Sequence, residues 1–174
     1  EVHLALAVEI PRLLREIGRL REETFRAAGE GTGRSLDLDR FDHQYRHLFI
    51  WNPKDREVVG AYRVGFTEEI RLRQGTRGLY SSTLFRYKPA FFKTLPPAVE
   101  LGRSFVRLSW QREFAPLLLL WKGLGAILVR HPRLRVLFGP VSMDREYDPA
   151  SRELVVSWLP QHRLDSGRAA RVKA

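Results

Sequence analysis

Residues 98–107 read AVELGRSFVR. Apolar residues alternate there with small or charged ones, the pattern of a half-buried strand. Pro96 and Pro97 stand before it and end any helix arriving from upstream. Side chains two apart on a strand share a face. Glu100 and Gly102 are therefore expected on one side, and Leu101 and Arg103 on the other. A carboxylate beside a position without a side chain leaves open space in front of a candidate base. Glycine inside a strand also marks close approach by a ligand or another backbone. A plain strand with a surface ion pair accounts for the same residues, so the rest of the chain has to decide.

Downstream of this strand, residues 115–130 (APLLLLWKGLGAILVR) read as a buried helix, too short an apolar run to span a bilayer. Residues 134–143 (LRVLFGPVSM) form another apolar strand, broken at Gly139-Pro140. Asp148 and Pro149 start a last helix, which Pro160 is expected to stop, and residues 161–174 are expected to be a loose basic tail. Upstream, residues 1–7 alternate as a strand, and Pro11 opens a helix to about Ala28 with its apolar stripe at helical spacing. Residues 47–51 and 57–66 read as an antiparallel hairpin around an Asn52–Asp55 turn. Residues 67–97 are interrupted by glycine and proline and rich in aromatics, which fits a lid over a site, the lining of a channel for something apolar, or a loop excursion with its own aromatic cluster. Strands first in series and then alternating with helices imply an α/β (α+β) fold, a mixed central sheet flanked by helices. One domain over residues 1–160 is expected, with the tail behind it.

The chain has 174 residues, no cysteine and a formal net charge of +10. Absence of cysteine excludes disulfides, thiolate zinc sites and a thiol nucleophile, and it suits a reducing compartment. The cations are mostly arginine and are scattered along the chain, which argues against a nucleic-acid arm and leaves an anionic lipid or an acidic protein as partner. No signal-peptide pattern stands at the start, and a cytoplasmic protein is expected, with peripheral association at the inner face of a membrane as a further expectation. Residue 1 is Glu, which points to a processed or excised chain.

Two clusters invite a chemical reading. Residues 35–47 hold Asp37, Asp39, Asp42, His43 and His47, but their spacing matches neither a calcium loop nor a helical zinc pair. Acidic residues of this kind serve a cationic amine substrate equally well, or simply cap and solvate a loop. Gly123 and Gly125 lie inside an apolar run rather than ahead of it, so close helix packing is a better account than phosphate binding. No GxSxG elbow supports a hydrolytic serine.

Taken in order, several segments resemble the acyl-carrier-protein-dependent N-acyltransferases of the GNAT-like fold. They are Leu20-Arg21 with Phe25, Asp39-Arg40-Phe41-Asp42, His47-Leu48, Val59-Gly60-Ala61-Tyr62-Arg63 and Glu100-Leu101-Gly102-Arg103. Leu119-Leu120-Trp121-Lys122-Gly123 and Leu137-Phe138-Gly139-Pro140-Val141-Ser142 extend the likeness. It is strongest to the ornithine-lipid and N-acyl amino acid synthases, the hemolysin-like group. The resemblance implies a GNAT-like sheet and transfer of a fatty acyl group from acyl carrier protein to the amino group of an amino acid. It implies no resident cofactor, because the phosphopantetheine thioester arrives on the carrier.

By the same resemblance Glu100 is the general base. Arg103 and Arg63 pair with Asp39 and Asp42 and shape the amine pocket or orient the substrate carboxylate. Arg21 joins that cluster, and Phe25 lines the acyl or pantetheine side. A buried ion-pair cluster that only fastens the loop to the sheet remains the alternative. Acyl-homoserine-lactone synthases share this skeleton, but the tryptophan they carry after the phenylalanine is replaced here by Arg26-Ala27-Ala28-Gly29. No clear strand follows the helix after Asp148, which implies a C-terminally truncated form of the fold. From another class, a non-catalytic basic domain that binds membranes or a partner accounts for the charge as well.

Overall fold

The computed structural model describes residues 1–143 and 147–173. Strand β1 (Val2–Leu6) leads through a 3-10 turn into helix α1 (Pro11–Ala27). Pro11 takes the first helical position, where no backbone N–H is needed. Leu14, Ile17, Leu20, Arg21 and Thr24 follow at three- and four-residue steps and are buried, so one face of α1 turns inward. β2 (Arg46–Asn52) and β3 (Glu57–Phe66) form the expected hairpin. After them come α2 (Thr67–Gln74), two 3-10 turns, β4 (Arg86–Tyr87), α3 (Pro89–Thr94) and the long strand β5 (Ala98–Val106). α4 (Phe114–Arg130), β6 (Val136–Phe138), α5 (Pro149–Arg163), α6 (Ser166–Ala169) and β7 (Val172–Lys173) complete the chain.

Among the described residues, five strands form one mixed sheet in the order β1-β2-β3-β5-β6. The first three neighbouring pairs are antiparallel, and β5 runs parallel to β6. One face takes α1, through Ile17 and Leu20 against Phe49, Val58, Ala61 and Phe105. The other takes α4, through Leu124 and Ile127 against Leu48, Val64, Phe66 and Val99. Gly123 lets α4 approach that closely: a Cβ there would stand 2.9 Å from both Leu48 and Val2. The packing reading of this glycine is thereby met. The expected mixed sheet flanked by helices is what the chain forms.

Two features of β5 differ from simple alternation. Ala61 faces Phe105 and Arg63 faces Gly102, so two steps on β3 oppose three on β5. The extra residue is Arg103, whose φ of 49° is the left-handed conformation of a bulge. Beyond it the faces exchange, and Phe105 packs on the same side as α1. Arg103 therefore does not sit on the face opposite Glu100, as strict alternation predicts. The second feature is that β5 pairs with β6 only over Ala98–Glu100. Gly139 comes so close to the Leu101 carbonyl that any Cβ would collide with its oxygen. Past that contact the two strands diverge.

Residues 67–97 are more ordered than punctuation by glycine and proline suggests. Phe91, Phe92, Leu79 and Ile70 form a cluster with Phe41 and Tyr45 from the acidic loop. The aromatic-cluster reading of this region is met by these residues, while Tyr80 and Leu84 of the same stretch line a cleft. Neither Pro160 nor the tail behaves as expected. α5 runs through Pro160 to Arg163. β7 pairs with β4, the Lys88 N–H donates to the Arg171 carbonyl at 2.8 Å, and Val172 joins the aromatic cluster. An apolar anchor and a strand edge thus tie down a segment whose composition reads as loose.

Gly65 lies opposite Glu100 in the ladder, with the ring of buried Tyr45 pressed against it. A Cβ at this position would fall 2.3 Å from that ring. Gly65→Ala is expected to cost about 1–3 kcal/mol, as overpacking does. Urea unfolding of the two proteins checks it, with a lowered midpoint and an unchanged slope as the expected result.

Candidate functional site

The acidic loop is drawn into the protein by two arginines. Arg21 on α1 reaches Asp42 at 3.0 Å and Arg63 on β3 reaches it at 3.4 Å, with all three side chains 1% exposed. Arg63 also donates to Asp39 at 2.7 Å. Arg21 donates to the Asp37 carbonyl at 2.9 Å, and the Asp37 carboxylate stands 3.2 Å from the same guanidinium nitrogen. The loop closes on itself as well: the Asp39 N–H donates to Asp42, and the Phe41 N–H donates to Asp39, both at 2.8 Å. His47 is buried beside them, 2.9 Å from the Asp42 carbonyl.

These contacts set the ionisation of the cluster. Burial alone would raise the Asp39 carboxyl, but the Arg63 guanidinium outweighs it and holds the group below its ordinary range. Burial would lower Arg63, and Asp42 and Asp39 together keep it raised instead. Arg21 goes the other way: desolvation lowers it more than Asp42 and Asp37 raise it. Burial also pushes His47 down, toward the neutral imidazole. Arg21, Arg63, Asp39 and Asp42 are thus brought together as the sequence anticipates.

Arg103 departs from that expectation. It faces Asp37, at 3.7 Å, instead of Asp39 or Asp42. Its guanidinium lies 5.8 Å from the Phe25 ring and 5.4 Å from the Tyr80 ring. The bulge is the cause, because it turns this side chain toward the end of α1.

Glu100 is 1% exposed and fully engaged. The Tyr45 hydroxyl donates to one of its oxygens, joined by the Tyr80 N–H at 3.2 Å, and the Ser81 N–H donates to the other at 2.6 Å. Burial first, and then the Glu100 charge, raise the Tyr45 phenol, so it stays protonated and donating. The open space expected in front of Glu100 is filled by residues 80–81. The link to the arginine cluster passes through two rings: Arg63 lies 5.3 Å from Tyr45 and 5.0 Å from Tyr80.

A cleft of about 780 Å³ opens where β5 and β6 part. Its walls include Phe25, Tyr80, Gly102, Arg103, Trp121 and Phe138. Gly102 has no atom within 4 Å of where a Cβ would be, so the strand backbone is bare toward the opening. Phe25 and Arg103 thus line the cleft, while Glu100 stands one layer behind Tyr80. An extended chain can enter between the two strands, with apolar walls at Trp121, Leu137 and Phe138 and one guanidinium within reach.

Comparison with known proteins agrees with this architecture. The model of the acetyltransferase (GNAT) domain family matches residues 20–122. The chain belongs to the GNAT acetyltransferase family. The GNAT chain is 39% identical over 173 residues to a glycine N(alpha)-acyltransferase of Bacteroides thetaiotaomicron, covering 93% of the chain and 51% of the relative. It is 37% identical over 173 residues to a glycine N(alpha)-acyltransferase of Phocaeicola vulgatus, covering 93% of the chain and 53% of that protein. It therefore spans about half the length of these curated relatives. Among solved structures, an aminoglycoside acetyltransferase from an uncultured soil metagenomic sample aligns with a TM-score of 0.51 at 12% identity, over 94% of this chain and 90% of that one. At that identity the likeness concerns the fold alone.

Sequence reasoning missed Tyr45, Tyr80 and the role of Asp37 in this GNAT domain. Tyr80 sits in the stretch read as an excursion, and nothing local marks its amide as a carboxylate ligand. Asp37 shares the two-residue spacing of Asp39, which is the one signal that could have placed it near an arginine.

Two outcomes follow from the cluster. Removing the buried Asp42 carboxylate leaves two guanidinium groups short of a partner, and Asp42→Ala is expected to lose about 3–5 kcal/mol by chemical denaturation. Glu22, at the end of α1, accepts from the Thr32 hydroxyl and N–H, from Arg26 and from the Gly33 N–H. The Thr32 hydroxyl first, and then those other donors, lower its carboxyl to about 2. Because its folded value is depressed, the stabilisation is present above the ordinary 4.5 and lost as pH falls toward about 2. Protection factors of the Thr32 and Gly33 amides, which correct for the intrinsic pH dependence of exchange, should fall over that window in the wild type, and Glu22→Gln should show low protection throughout.

Proposed function

We propose that this domain transfers a fatty acyl group from a thioester on acyl carrier protein to the amino group of glycine. The observation that carries the reading is the cleft, which sets bare strand backbone at Gly102, the Arg103 guanidinium and an apolar wall around one opening. The names of the relatives support an acyl donor and a glycine acceptor. An extended phosphopantetheine arm fits the gap between β5 and β6, with its acyl chain toward Trp121 and Phe138. The partly exposed Arg103 guanidinium in the cleft wall takes the acceptor's carboxylate. Phe25 flanks that guanidinium and limits the room for a side chain on the acceptor.

The amine lone pair attacks the thioester carbonyl carbon, the C–N bond forms, and the C–S bond breaks as the tetrahedral intermediate collapses. The nitrogen loses a proton and the departing thiolate gains one. Strand N–H groups that β6 leaves unpaired beyond the fork are the donors available to the developing oxyanion. Glu100 acts at one remove in this reading. Its contacts to Tyr45, Tyr80 and Ser81 fix the tyrosine that walls the cleft, which makes it a positioning residue. The acidic carrier docks on the basic surface of a chain with net charge +10.

The test is product formation from a long-chain acyl carrier protein with glycine and with a panel of other amines. N-acylglycine is expected, at a rate that falls steeply with added salt; no product with glycine would overturn the reading. Arg103→Ala should raise the KM for glycine roughly tenfold or more, the loss expected of one charge-assisted pair. Glu100→Gln separates two roles. As a positioning residue it should cost about tenfold with the pH profile of kcat unchanged, whereas a general base should cost about 10²–10⁴-fold and lose its acid limb.

A further inference from the structure

Helix α4 has two faces of different fate. Leu120, Leu124 and Ile127 go into the sheet. Phe114, Leu117, Leu118, Trp121 and Val129 face outward, with relative exposures of 75, 47, 41, 54 and 82%. Phe114, Leu117, Leu118 and Trp121 stand three and four residues apart and make one stripe on the helix surface, and Val129 lies two turns beyond it on the same side. Scattered exposed apolar residues are ordinary, but a contiguous stripe marks a contact.

Charge says what kind of contact. From Phe114 to Met143 the chain has no Asp or Glu, while Lys122, Arg130, Arg133 and Arg135 all fall there. Lys122, Arg130 and Arg133 are exposed, and Arg112 is exposed just before the helix. Leucine, phenylalanine and tryptophan on one face with cations beside them suit a helix lying in a lipid interface. α4 is 17 residues long, and no described helix is long and apolar enough to cross a membrane, so the fit is to the surface and not to a span. Trp121 belongs both to this stripe and to the cleft wall, which makes the two continuous.

We propose that the outer face of α4 docks the protein on an anionic phospholipid surface, with the cleft opening at that surface. Docking rests on exposure and charge alone. Its use rests on the acyltransferase reading: a long-chain N-acylated product then passes from Trp121 into lipid without crossing water.

Sedimentation of the full chain with vesicles tests this. Phosphatidylcholine vesicles containing phosphatidylglycerol should carry the protein down at low salt, and vesicles of phosphatidylcholine alone should carry far less. Phe114→Ser with Leu118→Ser removes two outer side chains that lie outside the cleft, and should weaken binding by about tenfold or more. Leu154→Ser with Trp158→Ser on α5 is the control and should leave binding unchanged. Acyl transfer from a short, water-soluble thioester should be the same in the α4 variant as in the wild type. Docking is overturned by a wild type that stays in the supernatant, by an α4 variant that binds equally well, or by loss of binding confined to the α5 variant. It is also overturned if the α4 face instead joins two copies, seen as a dimer in sedimentation equilibrium that the α4 variant dissociates. Vesicle binding without any acyl transfer would keep the docking and remove the function proposed above. Acyl transfer without vesicle binding would do the reverse.

Discussion

Asp42 accepts from Arg21 at 3.0 Å and from Arg63 at 3.4 Å in a place nearly closed to water. One carboxylate there joins a helix, a loop and a strand that are far apart in sequence. Such a group is costly to bury, and the two guanidiniums together with the loop amide of Asp39 offset the desolvation. The arrangement fixes where the loop ends, and so where Phe41 and Tyr45 enter the aromatic cluster. Tyr45 then holds Glu100, and Glu100 holds the amides of Tyr80 and Ser81. The arginine cluster and the Glu100 cluster thus adjoin, joined where Arg63 lies against the Tyr45 and Tyr80 rings, between α1 and the wall of the cleft.

The cleft itself comes from what β5 lacks. Its ladder to β6 stops at Glu100, and one extra residue at Arg103 bends the strand just beyond. Backbone groups that a complete sheet would pair are left for an occupant. The same bulge aims Arg103 into the opening beside Phe25. The short ladder thus leaves the opening and the bulge supplies its cation, with residues 139–142 completing the wall.

Much of this was legible in the sequence where local pattern and tertiary contact agree. The hairpin, α1, α4 and β5 follow apolar periods that packing reinforces. Arg21, Arg63, Asp39 and Asp42 were legible only through resemblance, since ion pairs across 21 or more positions leave no local mark. The resemblance pairs Arg103 with Asp39 and Asp42, whereas the bulge sets it beside Asp37, and a period of two carries no warning of a bulge. Glu100 was read as facing open space because its ligands are main-chain N–H groups from residues 80–81, which any sequence supplies. α2 went unread for a related reason: it buries only Thr67 and Ile70 and so carries almost no stripe. The tail was misjudged from its charge, since Val172 alone anchors it to the aromatic cluster.

The proposed acyl transfer assigns its thioester to one place, the gap between β5 and β6. A crystal structure with an acyl-pantetheine analogue, an amide in place of the thioester, examines that directly. The account predicts the pantetheine arm between the two strands, the amide beside Gly102, and the acyl chain against Trp121 and Phe138. An analogue seated instead in the pocket of about 280 Å³ lined by Glu68, Glu69, Pro97, Arg130 and Arg133 would contradict it.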